Sequence, residues 1–246
     1  MNQGKLITFE GIECSGKGTQ IKLVLDWLKQ LNINCTAEHE PGGTLYGEAL
    51  RAILKNPELS LPAIFNAVKG HSDYQSLSNF NFDEATDYSR NGTFEMFMFL
   101  ASRALYAEKI KEVIEQGTTV ISDRLMDSTT AYQGGGKANG DPKMIEQINF
   151  GNHLAMGELW PDLTLFLDIT VDEMYRRMAS ETDEKNSFFE KKYDRNFYEK
   201  VRQEYLNIAI REPQRFIVID GAKSPTEVFD IIKTKLSKLL NINPNQ

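Results

Sequence analysis

Two rhythms of apolar and polar positions alternate along the chain. Short runs that read as strands lie at 6–10, 32–40, 118–122, 163–169 and 216–219. Between them run segments with apolar residues three and four apart, as at Ile21, Leu23, Val24, Leu25, Trp27, Leu28 and Leu31. That period predicts helices over 21–31, after Thr44, and over 94–114, 142–156, 171–179, 197–210 and 226–240. Strands that alternate with helices form a parallel sheet, because each crossover helix must lie on a sheet face. The expected fold is therefore α/β, one domain over 1–246, with five parallel strands and helices on both faces.

Two stretches break the rhythm. Residues 56–92 carry Pro57, Pro62, Gly70 and Gly92 and a run rich in Ser, Asn, Asp and aromatics, and read as an insertion. Residues 181–194 are highly charged and without period, and read as a loop between helices.

Chemistry enters at the first strand-to-helix junction. The loop Gly11, Ile12, Glu13, Cys14, Ser15, Gly16, Lys17, Gly18, Thr19 follows strand 6–10 and opens a helix, the setting of a phosphate-binding P-loop. Its N–H groups and the helix start attract phosphate, and Lys17 reaches the outer phosphate oxygens. One position departs from the motif. Gly18 stands where a hydroxyl ligates Mg²⁺, and Thr19 is turned about 100° further round the helix.

Composition narrows the partners. The formal charge of −7 argues against a general nucleic-acid or anionic-membrane surface. Cys14 and Cys35 make no disulfide framework, and His39, His71 and His153 share no ligand spacing. With no leader-like segment and no apolar run of membrane-spanning length, the expected location is the cytoplasm.

Cations and carboxylates at strand ends carry the rest. Asp123-Arg124 closes the strand at 118–122, where a carboxylate can hold Mg²⁺-bound water and a guanidinium can bridge two phosphates. Phe99 and Arg103 lie four apart on one helix, so ring and guanidinium share a face and suit a flat heterocycle, but from the residues alone a core phenylalanine is the stronger reading of Phe99. Arg51 and Arg103, each taken alone, fit a solvated helix face.

Taken in order, Phe9-Glu10-Gly11 through Lys17, Glu40-Pro41-Gly42-Gly43-Thr44, Arg51, Phe99 to Arg103, Asp123-Arg124 and Ala131-Tyr132-Gln133-Gly134 resemble the thymidylate kinase family of P-loop nucleoside monophosphate kinases. The resemblance implies a three-layer P-loop fold and transfer of the γ-phosphate of ATP, with Mg²⁺, to dTMP. It implies that Glu13 contacts the acceptor's sugar and phosphate region and that Arg51 and Arg124 hold its phosphate. Phe99 would stack on thymine, Arg103 would read its carbonyl, and Tyr132 and Gln133 would flank the deoxyribose. A homodimer is implied as well. The catalytic set would be Lys17, Glu13, Arg124 and Asp123, and the loop at 181–194 would be the lid, with Lys185, Lys191, Lys192 and Arg195 as its cations.

Departures from the family pattern add expectations. Without the hydroxyl at position 18, metal binding falls to Asp123 and Glu13 through water. His39 and Leu125 replace a common arginine and aromatic, and the lid holds lysines where an arginine is expected. Reduced turnover with retained dTMP binding follows. Two other readings compete: a deoxynucleoside monophosphate kinase of broader acceptor choice, and a nucleotide-binding homologue impaired in catalysis.

Overall fold

The computed structural model describes residues 3–68, 91–180 and 193–243. Five strands form one sheet: β1 (Leu6–Glu10), β2 (Cys35–His39), β3 (Thr119–Asp123), β4 (Leu163–Asp168) and β5 (Phe216–Asp220). Their order is β2-β3-β1-β4-β5, and every adjacent pair is parallel. All strands thus end at one edge of the sheet, where ligands of open α/β folds bind.

The helices are α1 (Lys17–Gln30), α2 (Leu45–Lys55), α3 (Pro57–Val68), α4 (Gly92–Glu115), α5 (Met126–Thr129), α6 (Pro142–Met156), α7 (Val171–Ser180), α8 (Arg195–Arg211) and α9 (Pro225–Leu240). Successive strand residues point to opposite faces. Ile7 and Phe9 of β1 and Leu165 and Leu167 of β4 pack with Val24 and Leu28 of α1 and Ile232 and Leu236 of α9. On the other face, Phe166 meets Tyr198 and Tyr205 of α8, and Leu6 meets Tyr106 and Ile110 of α4. Each such large apolar side chain stabilises the fold by roughly 1.5–3 kcal/mol when fully buried.

Local chemistry sets the helix ends. Ser224 and Glu227 form a reciprocal capping box at α9, with Pro225 in its first turn. Thr44 accepts from the Gly47 N–H at α2, and Asp194 from that of Phe197 at α8. Gly117, at φ 84°, follows the end of α4 in a conformation that an L side chain resists.

Two elements differ from the sequence expectation. Helix α1 begins at Lys17, four residues before its apolar period, because its first turn faces the phosphate site and has no core to fill. The edge strand β2 is shorter than 32–40, and its side chains are only half buried. Of the stretch 56–92, residues Pro57–Val68 are helical, and 69–90 lie outside the described residues.

The stretch after β3 is less legible. Helix α5 runs directly into a π-helical segment, Thr130–Lys137, that contains Gly134, Gly135 and Gly136. Glycines cost a helix about 1 kcal/mol each relative to alanine. Here they let α8 approach the backbone. A Cβ on Gly135 would sit 2.5 Å from the Cβ of Glu204 and 2.9 Å from the carbonyl oxygen of Lys200, and one on Gly136 would strike the Phe197 ring. That seam puts Tyr132 and Gln133 at the sheet edge.

Candidate active site

The P-loop bends through left-handed backbone at Cys14 (φ 53°) and Gly16 (φ 96°) before α1 starts. Lys17 Nζ folds back over the loop and donates to the carbonyl oxygens of Gly11 and Ile12 at 3.0 and 3.1 Å. Burial, with Arg124 adding to it, lowers the Lys17 ammonium to about 8, against the pull of Asp123, Glu13 and Glu10. A bound phosphate would restore its charge.

A cavity lies on each side of this loop. One is walled by Cys14, Ser15, Gly16, Thr19 and Gln20 and by the turn Gly221 to Pro225 after β5. Arg177 of α7 crosses it, donating to the carbonyl oxygens of Cys14 (3.2 Å) and Gly221 (2.7 Å). Gly18 is exposed and a Cβ there would meet open space, so the missing hydroxyl is not excluded by packing. Thr19 is also exposed and lines this cavity.

The other cavity, of about 320 Å³, brings together Glu13, Lys17, Arg51, Phe99, Arg103, Asp123, Arg124, Tyr132 and Gln133. Arg124 adopts φ 69°, and its N–H donates to the Phe9 carbonyl at 3.0 Å, which turns the side chain inward from the end of β3. Its guanidinium donates to Ser128 Oγ, Tyr205 OH and Tyr132 OH at 3.2–3.4 Å and lies 3.6 Å from Glu13. Burial works against that charge, but its surroundings, with the Glu13 and Asp123 carboxylates among them, outweigh burial and hold its pKa well above the ordinary value. Burial likewise keeps Tyr132 neutral, so its hydroxyl donates to the Glu13 carboxylate, whose oxygens are 2.8 and 2.9 Å away. Arg51 is anchored by the Pro41 carbonyl at 2.7 Å.

Phe99 and Arg103 share one wall of this cavity. Arg103 is almost wholly buried, and it donates to Glu40 Oε2, Asn152 Oδ1 and Thr129 Oγ1 at 2.6–3.1 Å. Glu40 keeps its second oxygen, Oε1, buried and without a partner among the described residues. Gln133 donates to Glu95, which also pairs with Lys137 at 2.6 Å.

Sequence reasoning missed several participants. Glu10 closes β1 and accepts from Leu125 N (2.8 Å), Ser128 Oγ (2.6 Å) and Tyr205 OH (2.8 Å), so it braces both sides of Arg124. Burial, with Asp127 adding to it, raises its carboxyl to about 7. A carboxylate at the end of a buried strand was the available signal. Lys55 had none in local spacing, since the fold alone brings it in, whereas Glu40 was legible as part of the Glu-Pro-Gly-Gly stretch without a role. Of the lid cations, Arg195 bonds Asp172 at 2.5 Å and stacks over the Tyr175 ring, whereas Lys185, Lys191 and Lys192 lie outside the described residues.

The donor set fits Mg²⁺. Asp123 Oδ1 is buried beside Arg124 at the strand edge with no hydrogen-bond partner among the described residues. An orphaned carboxylate oxygen suits a hard cation or its water, and Mg²⁺ needs only one or two carboxylates when phosphates supply the rest.

The thymidylate kinase family model matches residues 9–66 and 76–232, which includes both cavities. The chain belongs to the thymidylate kinase family. This thymidylate kinase-family chain is 34% identical to the thymidylate kinase of Maridesulfovibrio salexigens, over 94% of each chain. It is 35% identical to that of Thermosipho melanesiensis, over 96% of this chain and 98% of the other. The crystal structure of the thymidylate kinase from Ehrlichia chaffeensis is similar, with a TM-score of 0.64 and 28% identity over 95% of this chain and 99% of that one. The family match leaves only 67–75 uncovered within the stretch 56–92.

Proposed function

We propose that the two cavities are the donor and acceptor halves of one phosphoryl-transfer site, with the P-loop as their common wall. As a thymidylate kinase, the chain phosphorylates dTMP to dTDP at the expense of ATP. The observation that carries the site reading is that one loop lines both cavities. Cys14, Ser15, Gly16 and Thr19 line the donor side, whereas Glu13 and Lys17 line the acceptor side.

Phosphoryl transfer rests on alignment and neutralisation of charge. On the donor side, the loop's N–H groups and the start of α1 take the ATP phosphates, and Arg177 with the turn after β5 borders the nucleoside. Lys17 leaves its two carbonyl partners and meets the phosphate oxygens. On the acceptor side, Arg51 and Arg124 hold the dTMP phosphate, which is largely a dianion near neutral pH and needs no strong base. Phe99 stacks on the base, Arg103 reads its carbonyl edge, and Glu13, Tyr132 and Gln133 border the sugar. Asp123, and Glu13 through water, would hold Mg²⁺, which supplies charge neutralisation on the transferred phosphate. The cations of the lid, Lys185, Lys191, Lys192 and Arg195, cover the donor side in this reading.

The working unit is a cytoplasmic homodimer in this reading. Its support is an apolar face on α4 and α6, where Phe97, Phe150 and Leu154 are 61%, 71% and 78% exposed. Gly151 lets these helices meet closely at Leu100, so the face is continuous. None of the described helices is long and apolar enough to cross a membrane.

An ADP-release assay with ATP and Mg²⁺ tests the assignment. Turnover with dTMP is expected well above that with dUMP, dGMP and UMP. Comparable turnover on all four would favour the broader kinase, and dTMP binding without turnover would favour the impaired homologue.

A further inference from the structure

Glu95, Phe99 and Arg103 follow one another at intervals of four on one face of α4, and all three line the acceptor cavity. The ring is in the middle, with the guanidinium one turn to one side and a carboxylate one turn to the other. Glu95 is only 3% exposed, and phosphoryl transfer gives it no task. Its Oε2 takes the Lys137 ammonium at 2.6 Å and the Gln133 side-chain Nε2–H at 3.2 Å. Gln133 and Lys137 lie four apart on the segment Thr130–Lys137, so one stretch of chain delivers both donors to the same oxygen.

That arrangement fixes the direction of an amide. An ammonium can only donate, so Glu95 Oε2 is an acceptor, and Gln133 must meet it with its NH2 end. The reversed amide would set two oxygens face to face and forfeit a buried hydrogen bond. The carbonyl end, Oε1, takes no hydrogen bond among the described residues, and Gln133 lines the cavity. Across the Phe99 ring, Arg103 offers only donors. A base stacked on that ring thus meets a donor and an acceptor together. Thymine answers both, with a carbonyl beside a ring N–H. Cytosine carries an amino group in place of that carbonyl and a bare nitrogen in place of that N–H.

We propose that Glu95, backed by Lys137, is a positioning residue of the acceptor site: it turns the carbonyl end of the Gln133 amide into the cavity, where that oxygen accepts the ring N–H of the base and favours thymine over cytosine. The inference rests on the acceptor reading above and gives Gln133 a task beyond bordering the sugar.

Titration calorimetry of dTMP, and of dCMP by displacement of bound dTMP, tests this on the full chain and its variants. Glu95→Met releases the amide and is expected to weaken dTMP binding roughly ten-fold, the scale of one lost hydrogen bond, while dCMP binding stays within about two-fold. The preference for dTMP then falls about ten-fold. Gln133→Met is expected to lower it by the same factor, and the double variant by no more than either single one, because Glu95 acts through Gln133. Glu95→Gln keeps a carbonyl acceptor for both donors and should retain most of the preference. Equal weakening of dTMP and dCMP in Glu95→Met would make Glu95 a packing residue and overturn the proposal. Additive losses in the double variant would overturn it too, as would an unchanged preference in Gln133→Met, which leaves the pair of Glu95 and Lys137 in place. Failure of the unaltered protein to bind dTMP would overturn the acceptor reading itself, and this inference with it.

Discussion

The two sides of the P-loop are built from different materials. The donor side is mostly backbone: a loop with left-handed turns, a helix start and the turn after β5, tied together by Arg177. The acceptor side is mostly side chains. Arg124, Tyr132, Glu13, Glu10, Ser128 and Tyr205 form one hydrogen-bonded network drawn from three stretches distant in sequence, around 10–13, 124–132 and 205. A backbone site can accept any polyphosphate of suitable length. A side-chain network can fix one acceptor, because each donor has a single allowed direction. On the proposed reading, generality is expected of the donor half and selectivity of the acceptor half.

The sharpest way to break that contrast is Arg124→Ala. It removes the acceptor phosphate's principal cation and the centre of the network, so turnover is expected to fall by about a thousand-fold or more, the scale for losing a phosphoryl-stabilising arginine. ATP affinity should change little, and a comparable loss of it would mean that the halves are not separable. A smaller effect is expected on the donor side from pH. Only the protonated Lys17 pairs with phosphate, and its pKa in the free protein is lowered to about 8. Apparent ATP affinity should therefore decline as pH rises through about 8, and binding near that pH should take up protons. Calorimetry in buffers of different ionisation heat measures this, and a flat profile would contradict it. The mildest change is Gly18→Ser, which restores the missing hydroxyl at an exposed position with open space around it. Turnover and Mg²⁺ affinity are expected to rise a few-fold at most, because a neutral ligand adds little to carboxylate and phosphate. No change in either would show that Asp123 and water already suffice.

The same contrast explains how much of the molecule was legible in the sequence. The P-loop could be read because its function depends on consecutive residues, and strands β1, β3 and β4 because buried parallel strands are continuous apolar runs. Asp123-Arg124 was legible as a polar pair closing such a run. Arg103 could be read as a site residue only through the family resemblance, since alone it fits a solvated helix face, and its buried bonding to Glu40, Asn152 and Thr129 was not legible because these lie 63, 49 and 26 residues away. Lys55 reads locally as a helix-end lysine, and only the packing of α2 against α4 turns it inward. The three glycines at 134–136 look like a turn, since nothing nearby in sequence reveals that α8 will lie against them.

That glycine seam has a mechanical meaning. Where two elements meet through long side chains, they can slide while rotamers absorb the motion. Here the backbone of Gly135 and Gly136 rests directly on Lys200, Glu204 and Phe197 of α8, with no side chain of the glycines between them. Tyr205 on α8 then reaches across to Glu10 and Arg124. Helix and cavity wall thus meet without an intervening glycine side chain, so a tilt of α8 is expected to carry the Arg124 guanidinium with it.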